Sequence, residues 1–130
     1  MSKISIIIPT INEAKNLPLL LSDLSSIRKE KEIIIVDCGS EDKTIDIANI
    51  YGAKVFISKE RNRGLQLDMG AKNSKGDWLI FLHADTRLNH DWFRKTNSFL
   101  KGEKSSIYYF KFKINHKKII YRVLEILVKF

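Results

Sequence analysis

Four short apolar runs recur along the chain at similar spacing: ISIII at 4–8, EIIIV at 32–36, AKVFI at 53–57 and WLIFL at 78–82. They are rich in β-branched or aromatic residues and nearly continuous rather than alternating, which is the pattern of strands covered on both faces. Helical spacing fills the intervals. Leu17, Leu20, Leu21 and Leu24 share one face, and Ile45, Ile47, Ala48 and Ile50 follow Ser40-Glu41-Asp42, where a serine cap and early acids favour a helix start. A third helix is predicted over 65–74, closed by the stop signal Lys75-Gly76, and a fourth near 91–101. Strand and helix in alternation imply right-handed crossovers and a parallel sheet, so the expected fold is a three-layer α/β/α domain with helices on both faces.

The pattern changes after residue 100. SIYYFKFKI at 106–114 sets Tyr109, Lys111 and Lys113 against Tyr108, Phe110, Phe112 and Ile114, a strand-like run with one basic and one apolar face. In KKIIYRVLEILVKF, residues Ile119, Ile120, Val123, Leu124, Leu127 and Val128 form a helical stripe opposite Lys118, Arg122, Glu125 and Lys129. We therefore divide the chain into an α/β domain over 1–100 and a basic strand plus amphipathic helix over 101–130. That second part carries eight Lys or Arg against two Glu, a large share of the formal net charge of +8. A basic balance suits an anionic partner without choosing among nucleotide, nucleic acid and lipid headgroup.

Length and composition narrow the class. With 130 residues, 44% hydrophobic and 29% charged, the chain has the makings of one globular domain. A single cysteine, Cys38, excludes an internal disulfide framework and fits a reducing compartment. The opening MSKISIIIPTINE carries neither a signal-peptide pattern nor a spanning helix, so a cytoplasmic protein is expected.

In an open parallel sheet, ligands bind beyond the carboxyl ends of the strands, where loops and helix N-termini converge. Four loops would gather there: Pro9-Thr10-Ile11-Asn12-Glu13, Asp37-Cys38-Gly39-Ser40-Glu41-Asp42, Ser58-Lys59-Glu60-Arg61-Asn62-Arg63-Gly64 and His83-Ala84-Asp85-Thr86. Taken singly, each has a structural reading as a cap, a turn or a solvated basic loop. Lone His83 could be a packed residue, and Cys38, with no histidine near it in the chain, an inert thiol. Together they match what a sugar carrying a nucleoside diphosphate needs. Acids and amides accept hydrogen bonds from base and ribose, while cations, or a metal held by a hard oxygen such as that of Asp85, meet the phosphates.

At this point ISIIIPTINEAKNL, EIIIVDCGSEDKT and GDWLIFLHADT resemble the nucleotide-sugar-binding half of family 2 glycosyltransferases. These commonly show a strand-PTxNE opening, a VDDGSxD second loop and a DxD motif at the fourth. Arg63-Gly64-Leu65-Gln66, Gly70-Ala71 and FLHADT are closer still to a bacterial subgroup with RG-x-Q, a G-A pair and HAD in place of DxD. The resemblance covers 3–90 and implies a Rossmann-like GT-A fold, of which this chain would be a C-terminally short version. It implies that Pro9, Thr10 and Glu13 line the nucleotide pocket, that Asp37 meets the base, and that Gly39 and Ser40 shape that loop. Arg63 and Gly64 would face the diphosphate or sugar, and His83, Ala84 and Asp85 would form the last wall. Asp85 matches the final carboxylate of DxD and is the implied ligand for Mg2+ or Mn2+. His83 stands where the first carboxylate usually is, so either the metal is held more weakly or, as we prefer, the imidazole serves ribose or phosphate.

The implied activity is transfer of a sugar from a nucleotide-diphosphate sugar to an acceptor hydroxyl with inversion. Family members run on to carry the acceptor site and an acidic general base. No acidic pair follows Asp91 here, so no base is nominated, and a nucleotide-binding fragment or subunit without catalysis is the alternative. Nucleic-acid binding lacks a motif. The glycine-rich turn of dinucleotide folds and the Walker loop are also missing. For residues 117–130 the options are core packing, a twin subunit, or peripheral contact with the inner face of a membrane, where lipid-linked acceptors would be met.

Overall fold

The computed structural model of the protein describes residues 3–101. The expectations for 106–114 and 117–130 lie outside the described residues. Eight elements alternate: β1 (Ile4–Thr10), α1 (Leu17–Ser25), β2 (Lys31–Asp37), α2 (Thr44–Ile50), β3 (Lys54–Ile57), α3 (Arg63–Lys72), β4 (Trp78–Phe81) and α4 (His90–Phe99). The strands form one parallel sheet in the order β3-β2-β1-β4.

The order dictates the layers. Two crossovers step from β1 to β2 to β3, and the third returns past β1 to β4, so right-handed connections put α1 and α2 on one face and α3 on the other. Packing agrees. Leu17, Leu20, Leu21 and Leu24 of α1 and Ala48 of α2 join Ile4, Ile6, Ile8, Ile35 and Ile80, with Trp92 and Phe93 of α4 against the same cluster. On the opposite face Leu67, Met69 and Ala71 of α3 cover Ile7, Ile34 and Val36. All seven residues of β1 are buried. Among the described residues, cover on both faces, expected for four strands, holds for the two central ones, whereas Ile57, Leu79 and Phe81 on the edge strands are exposed.

Two helix boundaries differ from expectation for local reasons. Ser40 does not cap α2: its Oγ accepts from Asn12 N of the first loop while its proton goes to Asp37. Asp42 Oδ1 instead accepts from Thr44 N at 2.9 Å, and the helix begins there, burying Thr44 and Ala48 and leaving Ile50 outside. The start of α3 is two residues early because the Asn62 side chain caps it, accepting from Leu65 N at 3.2 Å. Its end is at Lys72, and Lys75-Gly76 belongs to the connection that follows.

That connection is latched at the amino end of the sheet. Glu32 accepts from Ser5 Oγ at 2.5 Å, from Lys54 Nζ at 2.7 Å and from the Lys75 backbone N–H, while Gly76 N donates to Ser5 Oγ at 2.8 Å. Burial pushes the Glu32 carboxyl up, but the hydrogen bonds from Lys54, Ser5 and Lys75 outweigh it and hold the pKa at about 2.

At the carboxyl end, Pro9 ends one ladder. Ile7 O accepts from Leu82 N at 3.1 Å, so Ile7 faces β4, and two residues on Pro9 faces the same way with no N–H to offer. The β1–β4 pairing stops at Ile7↔Phe81, whereas β1 and β2 stay paired to Thr10↔Asp37. The chain after β4 is thereby released from the sheet beside β1, where the direction of winding reverses and a crevice is expected.

Candidate active site at the carboxyl edge of the sheet

Asp37, the last residue of β2, is fully buried and organises its own loop. Its Oδ1 accepts from Thr10 Oγ1 at 2.7 Å and from the Ser40 hydroxyl; its Oδ2 accepts from Gly39 N at 2.9 Å and Ser40 N at 2.7 Å. Four donors match the acceptor sites of a carboxylate. Gly39, at φ +94°, makes the turn that aims both backbone donors inward, a conformation L side chains rarely adopt. In this geometry Asp37 accepts all four of its hydrogen bonds from Thr10 and from its own loop, and so shapes that loop.

The first two loops are zipped together. Asn12 N donates to Ser40 Oγ at 2.8 Å, and Asn12 Oδ1 accepts from Glu41 N at 2.8 Å. Glu13 N donates to Thr44 Oγ1 at 2.8 Å, and Ala14 N to Asp42 Oδ2 at 3.1 Å. Asn12 sits at φ +50°, in the left-handed region that asparagine tolerates better than most residues. Glu13, half-buried, keeps its carboxylate near Asn16, whose Nδ2 donates to Oε2 at 3.3 Å. Thr10, Glu13, Gly39 and Ser40 stand together here; sequence reasoning gave Asp42 only a helix-start role and did not foresee Asn12, Asp42 and Thr44 as the zip between the loops. The usable signal was Asn12 itself, a residue suited to a left-handed turn directly after a strand.

The third loop joins through α3. Arg63 and Gly64 form its exposed first turn, behind the Asn62 cap. Three residues on, Gln66 is buried and its Nε2 donates to Val36 O at 2.8 Å and Thr10 O at 3.2 Å, tying the helix to the ends of β2 and β1.

The fourth loop stands on the same edge by register, since residues after Phe81 continue the level of Ile7 toward Pro9. A turn closed by Thr86 N donating to His83 O at 3.0 Å leaves His83 and Asp85 exposed and Ala84 buried. Arg87 then anchors the chain to α1: its Nε and Nη2 donate to Asp23 at 2.8 and 3.0 Å, and Leu88 N adds 3.0 Å. The Arg87 guanidinium holds the Asp23 carboxyl below its ordinary range against the opposing effect of burial. Direct contacts thus unite Thr10, Asp37, Gly39, Ser40 and the first turns of α3, while His83 and Asp85 share the edge with no hydrogen bond to the other loops among the described residues.

Among the described residues no three His, Cys, Asp or Glu side chains stand close enough to hold a metal by themselves. An exposed Asp85 fits the other mode, in which one carboxylate and the phosphates of a substrate share a hard cation. Nor is any described helix long and apolar enough to cross a membrane.

Comparison with known proteins places this arrangement. A 4,4'-diaponeurosporenoate glycosyltransferase of Staphylococcus haemolyticus is 40% identical over 95 residues, covering 68% of this chain and 25% of that protein. The structure of S. aureus TarS in complex with UDP superposes with a TM-score of 0.66 at 28% identity, over 75% of this chain and 32% of that one. Glucosyl-3-phosphoglycerate synthase from Mycobacterium tuberculosis, in complex with Mn2+, UDP and glucosyl-3-phosphoglycerate, gives 0.63 at 25% identity, over 78% and 41%. The chain thus spans well under half the length of these relatives, and the expected three-layer α/β GT-A architecture is borne out by the sheet and the superpositions alike. The model named Glycosyl transferase family 2 matches residues 5–126, nearly the whole sequence, and the chain belongs to that family.

Proposed function

We propose that the chain is the donor-binding part of a glycosyltransferase, holding a nucleotide-diphosphate sugar across the carboxyl edge of the sheet for transfer to an acceptor hydroxyl with inversion. The observation that supports this is the wall made by the zipped loops 10–14 and 37–44, with α3 tied to it through Gln66 and the loop after β4 leaving the sheet beside it. The wall offers a preformed surface for the base and ribose. Arg63, at the start of α3, faces the diphosphate with a guanidinium and with the free N–H groups of the first turn. Asp85 would hold Mg2+ or Mn2+ jointly with the phosphates, and the cation when bound supplies stabilisation of the charge on the departing nucleoside diphosphate. His83, exposed beside it, serves ribose or phosphate.

Since the chain spans 25% of a relative's length, a second reading is a nucleotide-binding subunit whose general base comes from elsewhere. Residues 117–130, by their sequence pattern, are the proposed contact with a membrane surface, where a lipid-linked acceptor would be met, or with a second copy of the chain.

Calorimetric titration with UDP and GDP, with and without Mn2+, tests the donor reading. We expect one of the two to bind, Mn2+ to strengthen binding by about tenfold, and Asp85→Ala to erase that gain while leaving metal-free affinity within about twofold. No binding of either nucleotide under any condition would reject it. Hydrolysis of the matching nucleotide sugar by the chain alone separates enzyme from subunit.

A further inference from the structure

Gln66 is a polar side chain only 5% exposed, on the face of α3 that meets the sheet. Gly70 sets how close that face comes. A Cβ at position 70 would lie 2.4 Å from Ile7 Cγ2 and 3.3 Å from Val36 Cγ2, so the helix sits nearer β1 and β2 than any residue with a side chain would allow. One turn earlier on the same face, this approach brings Gln66 Nε2 to the carbonyls of Val36 and Thr10. Those two carbonyls end adjacent strands: Val36 precedes Asp37, and the Thr10 hydroxyl donates to Asp37. Cys38 N donates to the same Thr10 O at 3.1 Å, so the amide of Gln66 continues the β1–β2 ladder as one more rung, contributed from a helix. Gln66 N is meanwhile bonded to Asn62 O at 3.0 Å, in the first turn of the helix that begins with Arg63.

An apolar side chain would fill this position in the core equally well but could not donate; the amide NH2 grips two strand-end carbonyls without burying a charge. We infer that Gln66 is a positioning residue that fixes the span between the Thr10–Asp37 wall and the α3 start carrying Arg63 and Gly64. That span is the distance a ligand bridges between its base and its diphosphate, so Gln66 selects for nucleoside diphosphates without touching them. The inference rests on the donor-binding reading.

The test titrates the full chain with UDP, UMP and uridine, and with GDP, GMP and guanosine, comparing the native protein, Gln66→Met, Arg63→Ala and the double variant. We expect Gln66→Met to weaken the diphosphate by about tenfold and the nucleoside by less than about threefold. Arg63→Ala should cost about tenfold in the native background and less than about twofold after Gln66→Met, because the arginine is no longer held where the phosphates arrive. Equal loss for diphosphate and nucleoside, or additive effects of the two substitutions, would overturn the inference while leaving the donor reading intact. Failure of the native chain to bind any of the six ligands would overturn the donor reading itself. Should Gln66→Met not fold, Gln66→Asn keeps the amide but withdraws it by one methylene and is read the same way. If neither folds, Gln66 is a stability element and the positioning role is rejected.

Discussion

Replacing Asp37 separates a carboxylate that organises a wall from one that reads a ligand. Asp37→Ala removes the acceptor for Thr10 Oγ1, which is buried, and for Gly39 N and Ser40 N, whose residues are exposed and half-buried respectively and which water partly recovers. One buried unsatisfied hydroxyl costs about 1–3 kcal/mol, and each lost hydrogen bond to a charged acceptor about 1.5–3, offset by relief of the buried charge. The net expectation is a loss of about 3 kcal/mol. Asp37→Asn should cost only about 1 kcal/mol: its Oδ1 can face the two backbone donors while its Nδ2 donates to the Thr10 and Ser40 hydroxyls, which rotate to accept. Urea unfolding followed by tryptophan fluorescence measures both. With a slope of about 1.5 kcal/mol per molar, Asp37→Ala should lower the midpoint by about 2 M and Asp37→Asn by less than about 1 M. Nucleotide affinity should follow the same ranking, because Asn preserves the wall. An alanine variant within about 0.5 kcal/mol of native stability, or an asparagine variant as stable as native that has lost nucleotide binding, would refute the reasoning and return Asp37 to direct contact with the base.

The latch at the opposite end of the sheet gives a pH dependence of known sign. Glu32 has its pKa depressed from 4.5 to about 2 in the folded chain, so its contribution is fully present above about pH 4.5 and is lost as pH falls through about 2. The depression corresponds to about 3 kcal/mol, reduced to about 2 because Lys54 is half exposed to screening. Acid titration monitored by circular dichroism should show Glu32→Gln less stable at pH 7 and flatter between pH 4.5 and 2 than native; parallel curves would contradict the assignment. Gly70→Ala sets a helix-propensity gain of about 1 kcal/mol against overpacking on Ile7 of about 1–3. A thermal melt should find it less stable by about 1 kcal/mol, and a stabilised variant would mean that α3 can back away from the sheet at no cost.

Much of the fold was legible because burial and secondary-structure period coincide in this chain. Isoleucine-rich runs could be little but strands, and four of the five leucines of α1 point into one core while Leu19 stays exposed. What misled was competition for a single side chain. Ser40 has the identity and position of a helix cap, yet its oxygen accepts from Asn12 N and its proton goes to Asp37, so the helix waits for Asp42 and Thr44. The same contest hid what Asp37 does: sequence locates a carboxylate at a strand tip, but which way its lone pairs point depends on Thr10, 27 residues away. Gln66 stayed unassigned because its partners are main-chain carbonyls, which carry no residue identity to recognise. That the loops after β3 and β4 leave the sheet at one edge was legible, since parallel register implies it.

The central place of β1 has a consequence for how the molecule is made. Its first strand neighbour arrives some 27 residues later and the other only with Trp78, 74 residues downstream of Ile4. A ribosome therefore delivers the fully buried β1 before either of its neighbours and completes its enclosure last. Throughout that interval ISIIIPT is a naked adhesive ribbon, and chaperone occupancy during synthesis should concentrate on it until β4 emerges.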